Sequence, residues 1–192
     1  MAKLYFFYGA MGSSKTANAL MTAYNYTERG QKPLLVKADT DTRDGKYVMK
    51  SRVGLEKECI LLSELCQLSF EAIANYDAVI VDEAQFATKE QINFLSDIVD
   101  ELKIPVLCYG LRADFKNELF EGSKRLLTIA DSIQEVKTVC WCGRKATCNA
   151  RYGIHGIVRT GAQVELGAND RYIALCRKHF KEGNLGNAFA KK

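Results

Sequence analysis

The sequence predicts an α/β fold: a parallel sheet with helices on both faces, followed by a small cysteine-rich lobe. Three observations predict it. Short apolar runs alternate with segments of helical periodicity, the pattern of a sheet built from strand–helix–strand units. The runs are unbroken by polar residues, as strands covered on both faces require. From about Ser132, glycines and cysteines become frequent and helical periodicity ends. We place a boundary near Val139, which gives a core of 1–138, a lobe of 139–182 and a flexible tail of 183–192.

KLYFFYG (3–9) reads as a buried strand ending in glycine. KTANALMTAYNYTERG (15–30) sets Ala19, Leu20, Ala23 and Tyr24 at helical spacing and stops at Gly30. PLLVKA (33–38) is the next strand. SFEAIANY (69–76) reads as a helix, and DAVIVDEAQF (77–86) as a strand with its polar residues at the end. Thr88 with Gln91 resembles a capping box. It opens a helix with Ile92, Leu95, Ile98, Val99 and Leu102 on one face. IPVLCYGL (104–111) is another apolar strand.

The 192 residues are 47% hydrophobic and 26% charged, an ordinary globular balance. No apolar run approaches the ~20 residues that cross a bilayer. The N-terminus lacks the pattern of a secretory signal, so a cytoplasmic location without a membrane partner is expected. The net charge of +4 would attract a polyanion without demanding nucleic acid. Seven cysteines, an odd number, in a reducing compartment argue against a disulfide framework. Cys59, Cys66 and Cys108 lie in apolar stretches and read as small buried hydrophobes.

GAMGSSKT (9–16) fits a phosphate-binding loop with one departure. Gly9, Lys15 and Thr16 match G-x-x-x-x-G-K-[ST], but Ser14 stands at the second glycine. The context is right, because the loop follows a strand and opens a helix. Backbone N–H groups of Gly9, Ala10, Met11, Gly12, Ser13 and Ser14 would curl around phosphate oxygens. Lys15 would reach the β/γ-phosphates and Thr16 would offer its hydroxyl to Mg²⁺. Position 14 leads directly into the helix, so a near-helical φ that tolerates serine is expected. Asp82 and Glu83 end an apolar strand, where such a sheet presents ligand-binding residues. Asp82 would serve the metal, and Glu83 would be free to accept a proton from an attacking hydroxyl.

Cys176 and His179 have C-x-x-H spacing, and Cys140 and Cys142 have C-x-C spacing. Tetrahedral Zn²⁺ accepts three cysteines and one histidine in a structural site. Cys140, Cys142, Cys176 and His179 are the expected ligands, with Cys148 the rival for one place. The region has too little apolar content to fold unaided.

Together GAMGSSKT, YNYTERG, VDEAQF, IPVLCYGLRADFKNELFEGS, CWCGRKA and NDRYIALCRKHF resemble the thymidine kinases of the compact type found in bacteria and the animal cytosol. The C-x-C with C-x-x-H arrangement is similar to the enterobacterial branch. The resemblance implies a RecA-like core, a zinc lobe whose lasso loop closes over the nucleoside, and a homotetramer. It implies transfer of the ATP γ-phosphate to the 5′-hydroxyl of thymidine or deoxyuridine, with feedback inhibition by thymidine triphosphate (dTTP). By position, Glu83 matches the catalytic base, and Asp82, Glu83, Ala84 and Gln85 line the nucleotide site. Arg112 would lie beside the transferring phosphate. Leu111, Phe115 and Phe120 match apolar residues around the thymine, and Tyr172 sits in the lasso segment. Asp41 and Arg43 match a flexible phosphate-side loop. A different class fits the same core motifs: a RecA-like ATPase that binds nucleic acid or a protein through its zinc lobe. GRKATCNARYGIHGIVR is basic enough to suggest it. An inactive relative, with Ser14 marking decay of the loop, is the third reading.

Overall fold

The computed structural model describes residues 1–41, 45–164 and 171–186. Strand β1 (Leu4–Tyr8) leads through the loop at 9–14 into helix α1 (Lys15–Thr27). Strand β2 (Pro33–Lys37) is followed by a hairpin of β3 (Val48–Lys50) and β4 (Glu56–Glu58). The short β5 (Ile60–Leu61) and the single-turn helices α2 (Leu62–Leu65) and α3 (Phe70–Ile73) come next. Strand β6 (Ala78–Asp82) runs into a 3₁₀ turn, Ala84–Phe86, and then α4 (Lys89–Leu102). Strand β7 (Val106–Gly110), α5 (Glu121–Ile129) and β8 (Ser132–Glu135) complete the larger part. The remainder holds β9 (Cys148–Gly153), β10 (Gly156–Val158), β11 (Tyr172–Leu175) and α6 (Arg177–Glu182).

Six strands pair in the order β5-β2-β6-β7-β1-β8, every neighbouring pair parallel. Their residues alternate between two packed layers. Leu4, Phe6, Val36, Val79, Val81, Val106 and Cys108 meet Ile92, Leu95, Ile98 and Val99 of α4 and Leu126 of α5. Leu35, Ile80, Leu107 and Tyr109 meet Ala19, Leu20 and Ala23 of α1. Both faces are therefore covered by helices, as the unbroken apolar runs predicted. The edge strand β8 is only partly buried, which explains why it lacks such a run.

Local chemistry sets several boundaries. The capping box of α4 forms as expected: Gln91 N–H donates to the Thr88 hydroxyl at 3.2 Å, and Thr88 N–H to Gln91 Oε1 at 3.0 Å. The helix expected over 69–76 is shorter, Phe70–Ile73, with Ser69 as its cap. The strand expected over 77–86 stops at Asp82, because Glu83 turns the chain with a left-handed φ of 52°.

A three-stranded antiparallel sheet, β10-β9-β11, forms the second layer system. Its small core joins Ala146, Ala150, Leu175, Phe180 and Leu185 to Cys140, Cys148 and Cys176. The segment expected as a tail thus begins packed: Leu185 is buried and Asn184 O accepts from Trp141 Nε1 at 3.3 Å. Residues 187–192 lie outside the described ones.

Helix α5 presses on the 3₁₀ turn through Gly122. A Cβ there would sit 2.4 Å from Ala84 O and 2.8 Å from Ala87 O. Overpacking of this kind costs ~1–3 kcal/mol. Gly122→Ala should therefore lower the denaturant midpoint without changing the slope. An unchanged midpoint would mean that the turn yields freely.

Candidate active site

The phosphate loop, β1 and α1 form one unit at the carboxyl end of the sheet. Gly9 N–H donates to Gly110 O at 3.2 Å, which anchors the loop on β7. The loop then closes on itself: Ser13 N–H reaches Ala10 O at 3.3 Å. Lys15 is 8% exposed, and its ammonium donates to Ala10 O at 3.0 Å, Ser13 Oγ at 3.3 Å and Gly9 O at 3.4 Å. Gly9 must be glycine, since a Cβ would lie 2.3 Å from Val136 O and 2.4 Å from Ser13 Oγ.

Asp82 is buried at the end of β6 and is hydrogen-bonded by the Thr16 side chain and by the Glu83 N–H. Burial, with the Glu83 carboxylate beside it, pushes the Asp82 carboxyl up to about 7. Those two hydrogen bonds and Lys15 pull it the other way. Asp82 and Thr16 present adjacent oxygen donors of the kind a magnesium ion takes. The Gln85 side-chain amide donates to Glu83 Oε2, while its Oε1 accepts from Leu111 N–H at 2.9 Å. Ser123 Oγ holds the Leu111 carbonyl at 2.6 Å.

The loop after β7 is shaped by Asp114, whose Oδ1 accepts from Lys116 N–H at 2.8 Å and Glu118 N–H at 2.9 Å. Phe115 is buried with the Arg151 guanidinium 3.8 Å from its ring centroid. Arg151 Nε donates to the Tyr172 hydroxyl at 2.7 Å, and its Nη2 to Ala162 O at 3.0 Å. Gln163 Nε2 reaches Asp114 Oδ2 at 3.1 Å. Phe120 packs edge-on against Phe86, centroids 5.5 Å apart. Arg112 is exposed, its cation 5.5 Å from the Tyr8 ring. A cleft lies between Tyr8, Gly9 and Ala10, the loop residues Arg112 to Asp114, and Thr147 and Asn149 of the lobe.

The metal-type cluster stands apart. Ligand atoms of Cys140, Cys142, Cys176 and His179 all lie within 4.8 Å of one another. Cys142 Sγ is 4.0 Å from Cys176 Sγ, and Cys140 Sγ is 3.4 Å from His179 Nδ1. Tetrahedral zinc with Zn–S near 2.3 Å separates its ligands by about 3.5–3.8 Å, so the four fit. The backbone N–H of His179 leads the contacts that lower the Cys176 thiol, as a thiolate ligand needs. Trp141 stacks on His179 at 4.2 Å and 10°. The rival Cys148 is outside this group, with its Sγ near the Thr147 hydroxyl at 3.8 Å.

Residues 2–180 match the thymidine kinase family. The chain belongs to the thymidine kinase family. It is 46% identical over 188 residues to the thymidine kinase of Photobacterium profundum, covering 95% of this chain and 98% of that one. It is 50% identical to that of Zymomonas mobilis, covering 95% and 97%. For that of Haemophilus influenzae the identity is 47%, with the same coverage. Among solved structures, a Bacteroides Pif1 helicase bound to single-stranded DNA aligns at a TM-score of 0.45 and 11% identity. The alignment covers 70% of this chain and 38% of that one.

The thymidine kinase residues singled out in the sequence fall into three groups. Gly9 to Thr16 and Asp82 to Gln85 converge at adjoining strand ends. Leu111, Phe115 and Phe120 share the loop after β7, and Arg151 links Tyr172 to Phe115. Asp41 is described, with its N–H on Ala38 O, while Arg43 lies outside the described residues. Asp114, Asn149, Arg151 and Gln163 were not singled out, though each ties two segments together.

The expectation for Ser14 is overturned. Its φ is 59° and its ψ 28°, in the left-handed region, and its side chain makes no capping bond. A right-handed residue would extend α1 backward, whereas the loop must double back so that Ser13 meets Ala10. The left-handed state costs an L-residue about 1–2 kcal/mol. Glycine would remove that cost but adds ~0.4–1 kcal/mol of unfolded-state entropy. Ser14→Gly should thus stabilise by up to about 1.5 kcal/mol, raise the melting temperature, and keep or tighten ATP binding. A lowered melting temperature would contradict the strain.

Proposed function

We propose that this chain transfers the γ-phosphate of ATP to the 5′-hydroxyl of thymidine or deoxyuridine, as the thymidine kinase family to which it belongs suggests. The observation that carries the reading is the convergence of Lys15, Thr16, Asp82 and Glu83 at the ends of β1 and β6. The loop amides and Lys15 bind the triphosphate, Lys15 exchanging loop carbonyls for phosphate oxygens. Asp82 and Thr16 would hold magnesium, which neutralises charge on the β- and γ-phosphates. Glu83 takes the proton of the 5′-hydroxyl as that oxygen bonds to the γ-phosphorus and ADP leaves. Arg112, at the cleft edge, would meet the transferring phosphate. Leu111, Phe115, Phe120 and Tyr172 would wall the base, an apolar slot suited to a flat pyrimidine.

Cys140, Cys142, Cys176 and His179 would hold zinc, and four protein ligands make a closed structural site. We place the lobe they stabilise at residues 139–182, with the lasso within it. A homotetramer, inhibition by dTTP and a cytoplasmic location are proposed from the resemblance. Among the described residues no helix is long and apolar enough to cross a membrane. Nucleic acid is not the proposed ligand. Binding that falls steeply with salt would favour it.

The purified chain with ATP, magnesium and each of four deoxynucleosides should yield the 5′-monophosphate of thymidine and deoxyuridine. Phosphorylation of neither would refute the reading. Glu83→Gln keeps shape but accepts no proton, so kcat should fall about 10²–10⁴-fold with nucleoside affinity retained. Near-parental turnover would move the base elsewhere.

Elemental analysis should find one zinc per chain. Cys176→Ser should lose it and loosen the lobe while the core still melts cooperatively, and Cys148→Ser should keep it. Zinc loss in Cys148→Ser would overturn the ligand set.

A further inference from the structure

We propose that Asn149 is a positioning residue that holds the phosphate loop and the acceptor-side loop in register, coupling ATP binding to nucleoside binding. The inference rests on the kinase reading above. Asn149 projects from β9 and is 6% exposed. Its Oδ1 accepts from Met11 N–H at 2.8 Å, and its Nδ2 donates to Ala113 O at 2.8 Å. The partners fix the orientation of the amide, since a backbone N–H only donates and a carbonyl only accepts. Aspartate lacks the donor, and leucine lacks both groups.

The two bonds end on functional loops. Met11 lies between Gly9 and Gly12 of the phosphate loop. Gly12 is exposed, has a φ of 73°, and a Cβ on it would meet nothing within 4 Å. That stretch therefore takes its position from tethers, and the Thr138 hydroxyl adds a weaker one to Gly12 O at 3.3 Å. Ala113 lies between Arg112 and Asp114, where the loop that carries Phe115 begins. One side chain thus joins the loop proposed for ATP to the loop proposed for the nucleoside. A ligand that orders either loop orders part of the other, and the second ligand then loses less freedom on binding.

The test measures ATP affinity by calorimetry with and without thymidine, using a non-hydrolysable ATP analogue so that no phosphate is transferred, and kcat and KM for both substrates with ATP itself. The parent should bind ATP more tightly when thymidine is present. In Asn149→Leu, KM for ATP should rise about tenfold, the size of one or two lost hydrogen bonds. The thymidine effect on ATP affinity should vanish, and kcat should fall less than KM rises. In Asn149→Asp, which keeps the acceptor for Met11 but repels Ala113 O, ATP affinity alone should stay near the parent while coupling is lost. Zinc content and circular dichroism confirm folding, and if Asn149→Leu does not fold, Asn149→Asp decides. Parental coupling in a folded variant overturns the proposal. ATP affinity without acceptor needs no turnover, so failure of the kinase reading would be seen separately, in the parent's lack of thymidine monophosphate.

Discussion

The site depends on a gap that only glycine leaves. A Cβ on Gly110 would sit 2.7 Å from Gln85 Oε1 and 3.0 Å from the Gln85 backbone N. Through that gap the buried Gln85 amide holds Glu83 with one end and the Leu111 N–H with the other. Ser123 fixes the opposite side of Leu111, and Gly122 beside it lets α5 approach the 3₁₀ turn. The acid end of β6 and the loop after β7 are therefore tied together through Gln85 and Ser123. Each buried hydrogen bond here is costly to break, about 1–3 kcal/mol when a partner is left unsatisfied. A carboxylate can serve in the proton-accepting role proposed for Glu83 only when its position is fixed, and this network holds the Glu83 carboxylate in place.

Of the four non-glycine residues with a left-handed φ among the described residues, two, Lys103 and Asn117, lie at the end of α4 and in the loop after β7, and two flank the proposed nucleotide site. Ser14 and Glu83 both take left-handed conformations without being glycine, one at the end of the phosphate loop and the other just past Asp82. Such residues persist only where their surroundings over-determine them. Here the two apolar layers of the sheet supply the surplus, since a buried Leu or Ile is worth ~1.5–3 kcal/mol and many line each face. The strain has a purpose at position 83. The sharp turn ends β6 at Asp82 and leaves the Glu83 carboxylate half-buried beside it.

How much of this the sequence revealed follows from which forces are local. The strands were legible because a sheet covered on both faces needs continuous apolar runs, and β1, β2, β6 and β7 have them. Edge strand β8 was not, because partial burial leaves no apolar run, and neither was α2, because four residues are too few to show a helical period. The four metal-type ligands were legible from residue type and spacing, since few side chains bind zinc. Ser14 was misjudged because adjacency to a helix was taken to set φ, when the return of the loop to Ala10 sets it. Asn149, Arg151 and Gln163 gave no local signal. Their partners Met11, Phe115 and Asp114 are distant in the chain, and only the docking of the lobe brings them together.

Strand β9 explains how that docking is specified. Cys148 and Ala150 point into the lobe core, while the alternate residues Asn149 and Arg151 reach the phosphate loop, Ala113 and Phe115. A slip of one residue would exchange the two sets and bury the amide and guanidinium among cysteines. Register is therefore the quantity that must be held. Strand β11 holds it by pairing Leu175 with Cys148 and Tyr172 with Arg151. Cys176, one of the four metal-type ligands, follows Leu175 directly, and Cys140 and Cys142 bring the start of the lobe to it. The lobe core is small, and three of its eight buried apolar members among the described residues are cysteines. Cohesion at the cluster thus fixes β11, β11 fixes β9, and β9 aims two polar side chains into a site on the other sheet. None of the four cluster residues is among those lining the cleft, yet the geometry of the cleft depends on the cluster.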